Sequence, residues 1–360
     1  MGRHFVTDCE GPISLNDNAQ ELSAHFIPRG ERFFAIVSRY DDFLADVVEK
    51  PGYKAGDTLK LILPFLIAFG ASNEAVRNYS RSHISLVPGA TETLRFVGKR
   101  MASFIISTSY EPYIEALCEV VGFPMERAFS TEVDFDRYPL DPEEGAWLRQ
   151  TAEELAGMEM LQWPGHAGGS GDLAAEHRRV LRQLDRIFWQ AIPRMRIGRI
   201  LNEVNPVGGA EKARALVRSL EGTGHDLADV MYVGDSITDT EALRLVKDRG
   251  GLAVSFNGNG YAVRSAQICC MSKDARIIAF LAEAFNREGR DGALDLVESW
   301  ESGNLARVST EGGLMDWLSS LPEKDFPRME RVSGTDLTRL IAASESFRRS
   351  VRGEQVGSLG

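Results

Sequence analysis

The sequence predicts an α/β protein with a doubly wound parallel sheet, on three observations. Short β-prone runs alternate with amphipathic helices in 86–135 and 206–286, as in the strand–helix–strand units of a parallel sheet. Carboxylates or hydroxyls follow three of the predicted strands directly, the first being Asp8. Two long helical blocks, 15–85 and 136–205, interrupt the alternation and predict helical insertions.

The composition limits the kinds of partner. The 360 residues carry 52 acidic against 41 Lys and Arg side chains, a net charge of -11, with 43% hydrophobic residues. This balance argues against nucleic acid or an anionic membrane as a partner. The longest apolar run, 59–69, is too short to cross a bilayer, and no signal peptide is recognisable. We therefore expect a cytoplasmic protein, and the sequence does not indicate its oligomeric state.

The first half of the chain contains a strand, a helical block and a strand–helix–strand unit. Residues 3–8 predict a buried strand that ends at Asp8, and Gly11 and Pro12 predict a turn. The block 15–85 has no strand pattern and is too long for a loop, so we predict a separate helical cap. Its helices are predicted at 19–26, 33–48, 59–71 and 73–82. After the cap, we predict helices at 90–100 and 111–121 and strands at 103–106 and 128–133.

The second half returns to the α/β pattern after the second insertion, 136–205. We predict a helix at 210–220, strands at 230–233, 252–256 and 268–271, and helices at 240–246 and 274–286. The core is therefore predicted at 1–14 with 86–135 and 206–286. Residues 287–360 predict a polar, helical C-terminal extension.

Acidic side chains that follow separate strands predict a metal site. Asp8 and Glu10 follow the first strand, and Asp235 and Asp239 follow a later one. The carboxyl ends of parallel strands share one edge of the sheet, where ligands bind. Crowded carboxylates repel unless a divalent cation lies among them, and hard oxygen ligands suit Mg²⁺.

Such a cation would attract and shield a phosphate, so that an anionic Asp8 could attack phosphorus. The hydroxyl of Ser107 and the ammonium of Lys212 could hold the transferring oxygens. Glu10 could protonate the leaving oxygen and later activate water.

These residues, in this order, resemble the four motifs of the haloacid dehalogenase-like (HAD) phosphatase superfamily. The matching stretches are Asp8-Cys9-Glu10-Gly11-Pro12, Phe104-Ile105-Ile106-Ser107, Lys212, and Gly234-Asp235-Ser236-Ile237-Thr238-Asp239. The matched core covers roughly half of the chain. The resemblance implies a HAD-like core in which 15–85 is a C1-type cap, and Mg²⁺-dependent hydrolysis of a small phosphorylated metabolite.

The resemblance also implies a role for each matched residue. Asp8 would be the nucleophile that forms an aspartyl-phosphate, and Glu10 the general acid and base. Ser107, Thr108 and Lys212 would bind phosphoryl oxygens. Asp8, Glu10, Asp235 and Asp239 would form the Mg²⁺ site, with Asp239 binding the metal or orienting Lys212.

Two residues depart from the family pattern. Glu10 stands where Asp is usual, which resembles the enolase-phosphatase and phosphoserine phosphatase branches, and Pro12 stands where Thr is usual. The run 129–136 also resembles phosphoserine phosphatases. The stretch 11–14 with 16–18 resembles archaeal HAD proteins of the energy-converting hydrogenase subunit R type. None of these likenesses assigns a substrate.

Other interpretations of the same residues stay open. A non-catalytic binding or regulatory protein, or a phosphotransferase, would use the same core. Asp235 and Asp239 could form a turn and a helix cap, and Lys212 could lie on a solvated helix face. A catalytic thiol at Cys9 is disfavoured because no His lies near it in the sequence to activate it.

Overall fold

The computed structural model describes residues 2–165, 167–301 and 312–353. Its strands are β1 (His4–Thr7), β2 (Ala102–Tyr110), β3 (Ala128–Thr131), β4 (Val230–Gly234), β5 (Leu252–Phe256), β6 (Ile268–Met271) and β7 (Arg328–Arg331). Within the described residues they form one sheet of order β3-β2-β1-β4-β5-β6-β7. All neighbours are parallel except β7, which pairs antiparallel with β6. The predicted doubly wound α/β fold is confirmed.

The helices lie on both faces of this sheet and in the two insertions. In chain order they are α1 (Asn18–Phe26), α2 (Gly30–Asp42), α3 (Thr58–Ala68), α4 (Asn73–His83), α5 (Ala90–Gly98), α6 (Glu111–Val121), α7 (Pro142–Gly157), α8 (Ala175–Arg186), α9 (Ile200–Glu203), α10 (Ala210–Ser219), α11 (Thr240–Asp248), α12 (Gly260–Ser265), α13 (Arg276–Glu301), α14 (Gly312–Ser320) and α15 (Leu337–Arg352).

Strand β1 is central and apolar on both faces. Phe5 and Val6 are fully buried in two different apolar clusters, one on each side of the sheet, because successive side chains of a strand point to opposite faces. A strand covered by helices on both faces is expected to be continuously apolar. The residue that follows β1 therefore lies at the carboxyl end of a strand that is covered on both faces.

The first insertion begins at a capped helix. The side chain of Asp17 accepts a hydrogen bond from the backbone N–H of Gln20, which satisfies a free donor in the first turn of α1. The cap fixes where the chain turns from the core into the helical insertion.

The two insertions pack on one another around a shared apolar core. Phe33 and Phe65 from the first insertion and Leu148 and Phe188 from the second are buried in the same cluster. Helix α7 packs against both α2 and α3. The two stretches, predicted separately from the sequence, thus lie together as one helical body over the sheet edge.

The C-terminal extension returns to the sheet. After α13 and α14, β7 adds an antiparallel edge strand, which the prediction of a helical extension did not anticipate. Helix α15 then packs against α12 and β6. Residues 302–311 and 354–360 of the predicted extension lie outside the described residues.

Among the described helices, none is by itself long and apolar enough to cross a membrane. Helices α3 and α4 reach such a length and apolar composition only when they are taken together, and they are bent by 110° at their junction. Most residues of α3 are buried in the apolar core of the insertions.

The first residue of β1 makes folding stability depend on pH. Burial lowers the pKa of His4 from 6.5 to about 4, with a smaller contribution from His225. Between pH 6.5 and 4, therefore, the unfolded chain binds a proton at this position more readily than the folded chain does. The contribution of buried, neutral His4 to the free energy of unfolding is complete above pH 6.5 and is lost as the pH falls through 4.

We expect His4→Gln to reduce the loss of unfolding free energy between pH 6.5 and 4 by about 3 kcal/mol relative to the wild type, at roughly 1.4 kcal/mol per pKa unit. Urea unfolding at a series of pH values measures this difference. Exposed His83→Gln is the matched control, and equal pH dependence in His4→Gln and the wild type would contradict the assignment.

Candidate active site

The parallel register of β1 and β4 brings the acidic residues together. Thr7 pairs with Val233, and the backbone N–H of Asp8 donates to the carbonyl of Val233 at 2.8 Å. One ligand oxygen each of Asp8, Asp235 and Asp239 lies within 4.8 Å of the others, and all three residues are buried. Sequence positions more than 200 residues apart thus meet at one edge of the sheet.

Lys212 links two of these carboxylates. Its Nζ lies 2.7 Å from Asp8 Oδ2 and 2.7 Å from Asp239 Oδ1, and the side chain is fully buried. Burial alone would lower the pKa of Lys212, but Asp239 and Asp8 outweigh burial and raise it. The ammonium is therefore a fixed positive charge in the site rather than part of a solvated helix face.

Asp239 is held by donors on both carboxylate oxygens. Tyr232 Oη donates to Oδ1 at 2.8 Å, and the backbone N–H groups of Asp235 and Ser236 donate to Oδ2 at 3.1 and 3.2 Å. Burial alone would raise the pKa of Asp239, but Lys212 and these hydrogen bonds lower it. Of the two roles predicted for Asp239, these contacts favour the orientation of Lys212.

Asp8 is fixed beside Lys212. The backbone N–H of Cys9 donates to Asp8 Oδ1 at 2.7 Å. Burial raises the pKa of Asp8, as do Asp239 and Asp235, while Lys212 opposes the increase. The neighbouring thiol is unsuited to be the nucleophile, because burial raises the pKa of Cys9 and so disfavours its thiolate.

Glu10 lies in the same pocket but outside the group of three acids. Its Oε1 accepts a hydrogen bond from the backbone N–H of Asn18, at the start of α1, at 2.7 Å. Burial raises the pKa of Glu10 to about 8, and Asp17 adds to the increase. A carboxyl group that keeps its proton near neutral pH is suited to general acid catalysis.

The predicted phosphate-binding hydroxyls lie on β2, which extends four residues beyond the predicted end at 106. Ser107 is buried, and its Oγ donates to Ser109 Oγ at 3.1 Å. Thr108 and Ser109 line the pocket, and the buried Oγ1 of Thr108 has no hydrogen-bond partner among the described residues. Ser109 was missed as a site residue, although its place at a strand end was a visible signal.

Helices of the first insertion cover the pocket. Phe34, Ser38, Gly56 and Leu59 lie opposite the sheet edge and complete a cavity of about 110 Å³. This volume is well below the roughly 300–1,000 Å³ typical of ligand pockets. The covered site is therefore small, and a larger molecule would require the helices to move.

Gly11 allows the turn after β1 to pack against Asp235. Its φ of +101° lies in the region that favours glycine, and a Cβ at this position would overlap Asp235 Oδ2. Gly11 is thus required for two reasons: the turn needs its positive φ, and the predicted metal ligand Asp235 leaves no space for a Cβ.

Two residues that the sequence analysis missed reach the site from the C-terminal extension. Arg348 and Arg352 both donate to Asp235 Oδ2, the second at 3.2 Å, and their side chains are almost completely buried. No motif indicated them, because they lie on a polar helix more than 100 positions after Asp235.

The donor set fits a hard divalent cation. Asp8 and Asp235 offer carboxylate oxygens at one sheet edge, and oxygen ligands of this kind are those that Mg²⁺ prefers. The neighbouring cations contact these acids separately: Lys212 pairs with Asp8, and Arg348 pairs with Asp235.

The parallel sheet, the helical insertions and the position of each motif at the sheet edge define a haloacid dehalogenase-like fold. Among solved structures, the chain is similar to gene product AF1437 from Archaeoglobus fulgidus, with 29% identity, a TM-score of 0.81, and coverage of 100% of this chain and 99% of that chain.

Phosphoserine phosphatase structures also match. The apo form has 14% identity and a TM-score of 0.45, covering 78% of this chain and 98% of that one. The phospho-aspartyl intermediate analogue has 15% identity and a TM-score of 0.46, with coverages of 77% and 97%. No family model matches the chain, and no curated protein matches it.

Because the ammonium of Lys212 is buried between two carboxylates, its removal should strongly lower the free energy of unfolding. We expect Lys212→Met to lower the free energy of unfolding by about 3–5 kcal/mol, because it leaves two buried carboxylates without their partner. Urea unfolding in the presence of a chelator measures the loss. Exposed Lys99→Met is the control for removing a lysine charge, and a loss no greater than that of the control would contradict the bridging role.

Proposed function

We propose that this protein is a Mg²⁺-dependent phosphatase that hydrolyses a small phosphomonoester through an aspartyl-phosphate on Asp8. The observation that carries the proposal is the contact of buried Lys212 with both Asp8 and Asp239, beside Asp235. In this arrangement an oriented carboxylate, a buried ammonium and a candidate metal ligand lie close together at the sheet edge, which supports the proposal.

In the first step, a carboxylate oxygen of Asp8 attacks phosphorus, and the bond between phosphorus and the ester oxygen breaks. Glu10 gives its proton to the departing oxygen, so the products are the alcohol and the aspartyl-phosphate. The raised pKa of Glu10 supports this role, because the group holds a proton before the substrate reacts. Lys212, which contacts Asp8, and the hydroxyl of Thr108, which lines the pocket, would bind phosphoryl oxygens.

In the second step, water attacks the phosphorus of the aspartyl-phosphate. The Glu10 carboxylate accepts a proton from this water, the bond from phosphorus to the Asp8 oxygen breaks, and inorganic phosphate leaves. The hydrogen bond from Asn18 to Glu10 ties this residue to the start of the cap helix α1. Movement of the cap would therefore be coupled to the position of the acid and base.

Asp8 and Asp235 would hold Mg²⁺, with Asp239 behind them as the residue that orients Lys212. When bound, the cation would supply positive charge that attracts the phosphate and favours the anionic form of Asp8. The helices over the pocket would exclude bulk water and limit the size of the substrate.

Replacement of the nucleophile tests the mechanism directly. We expect Asp8→Asn to reduce Mg²⁺-dependent phosphate release by at least about 1,000-fold, because the amide cannot form the intermediate. Phosphate release is measured on a panel of small phosphomonoesters with Mg²⁺ and with a chelator. Acid-quenched protein is assayed for bound phosphate in parallel.

Exposed Asp136→Asn in the connection between core and second insertion is the matched control. Retention of full activity by Asp8→Asn would exclude the proposed nucleophile. No turnover of any panel member by the wild type, despite Mg²⁺ binding, would favour a binding or regulatory protein. Transfer of the phosphoryl group to added alcohols in preference to water would favour a phosphotransferase.

The role of Glu10 is tested by the nature of the leaving group. We expect Glu10→Gln to slow phosphoryl transfer from a small alkyl phosphate by about 10²–10⁴-fold, because the alkoxide needs a proton to leave. Phosphoryl transfer from acetyl phosphate should be slowed much less, because acetate leaves without protonation. Single-turnover kinetics of intermediate formation measure both rates.

Exposed Glu74→Gln, on cap helix α4, controls for loss of an acid from the cap region. An equal loss for both substrates in Glu10→Gln would show that this residue does not act as the acid in the first step.

A further inference from the structure

The C-terminal helix α15 is fastened to the edge of the sheet beside the candidate metal site. Ser344 Oγ donates to the carbonyl of Gly258 at 2.6 Å, and the backbone N–H of Gly260 donates to Glu345 Oε1 at 3.0 Å. These contacts lie at the turn between β5 and α12. They hold the middle of α15 against this turn.

Two arginines one helical turn apart extend from the C-terminal end of α15 to the same carboxylate. Arg348 Nη1 donates to Asp235 Oδ2 and, at 3.2 Å, to the Asp235 backbone carbonyl. Arg352 Nη1 donates to Asp235 Oδ2 at 3.2 Å. The two side chains are 3% and 4% exposed, so both guanidinium groups are removed from water, and a buried cation is strongly unfavourable unless it is paired.

Arg352 is also held by the loop after β1. Its other guanidinium nitrogens donate to the backbone carbonyls of Leu15 and Asn16. Arg348 donates in addition to the carbonyl of Asn257 at 3.4 Å. The backbone of three loops thus fixes the position of the two cations, and neither depends on Asp235 alone.

Both arginines use one oxygen of Asp235 and leave the other free. All the hydrogen bonds to the Asp235 side chain among the described residues end on Oδ2, which also packs against Gly11. Oδ1 receives no hydrogen bond from the described part of the chain. A carboxylate that is held through one oxygen and free at the other is prepared to act as a ligand, and such outer contacts orient metal ligands in proteins.

We propose that Arg348 and Arg352 are positioning residues of the metal site: they hold Asp235 through Oδ2 so that Oδ1 serves as the Mg²⁺ ligand, which makes α15 part of the active site. The inference rests on the proposed function, because it requires Asp235 to bind the metal. The opposite arrangement, in which a guanidinium competes with the metal for Asp235, is distinguished by the sign of the change in affinity.

The test measures Mg²⁺ affinity by calorimetry on the full chain without substrate. We expect Arg348→Met to raise the Mg²⁺ dissociation constant by about 10–100-fold, the usual effect of removing a partner of a metal ligand. Arg352→Met should raise it by a smaller factor, because Arg348 still holds Oδ2. Arg348→Lys, which keeps a cation and a donor, should recover part of the lost affinity.

Arg339→Met is the matched control. Arg339 lies on the same helix but is exposed and pairs with Glu330, so this variant removes the same charge far from the site. Its Mg²⁺ affinity should equal that of the wild type. Thermal unfolding of each variant identifies any that fails to fold, and in that case Arg352→Met decides.

Unchanged or tighter Mg²⁺ binding in folded Arg348→Met would overturn the proposal, and tighter binding would identify Arg348 as a competitor of the metal. Arg348→Lys with no recovered affinity would also overturn it. If Arg348→Met changed only the KM for substrate, the arginines would bind substrate instead. Failure of the wild type to bind Mg²⁺ would reject the proposed function itself, which separates the two failures.

Discussion

The bridge from the buried ammonium of Lys212 to Asp8 and Asp239 is the interaction on which the site depends. Without it, the sheet edge would hold several buried carboxylates and no resident cation in contact with Asp8, an arrangement that a folded protein tolerates poorly. The bridge also ties separate elements together, because Lys212 stands in the first turn of α10. Just before that helix, Gly208 packs so closely on the backbone of Ala55 in the cap that a Cβ would overlap its carbonyl. Core, site and cap therefore meet at the start of α10.

The parallel register explains how this bridge can form. Thr7 pairs with Val233 on one side and with Ile105 on the other, so the segments that follow these three paired residues run side by side at the carboxyl end of the sheet. Asp8 comes directly after β1, and Asp235 directly after β4. A shift of either strand by one residue would turn these carboxylates toward the opposite face, since the side-chain period of a strand is two. The apolar burial of β1 on both faces thus fixes the direction of the Asp8 side chain.

The parts of the fold that could be predicted are those with a local physical signal. The bounds of β5, β6 and α6 follow from apolar periodicity and flanking turns, and the motif acids follow from their places after strands. Strand β7 could not be predicted in this way, because in Arg328–Arg331 only Met329 is buried and the other side chains are charged. The strand is formed by pairing with β6 at the sheet edge. The common core of the two insertions was equally hidden, since neither sequence block indicates which surface its apolar face will cover.

Arg348 and Arg352 could not be predicted from the local sequence either, and their role follows from the negative charge of the pocket. The pocket is lined by Asp8, Glu10, Asp17, Asp41, Asp42 and Asp235, a set that would repel a phosphate dianion. Asp42 pairs with Arg39, three positions before it, at 3.6 Å, whereas the cations paired with Asp8 and Asp235 come from elements more than 100 positions away in the sequence. Cations that come from distant elements are brought to the acids only by folding, so the charge balance is completed when α10 and α15 dock. On this argument the C-terminal extension is part of the electrostatic design of the pocket, although the six parallel strands and the motifs that follow them all precede it in the chain.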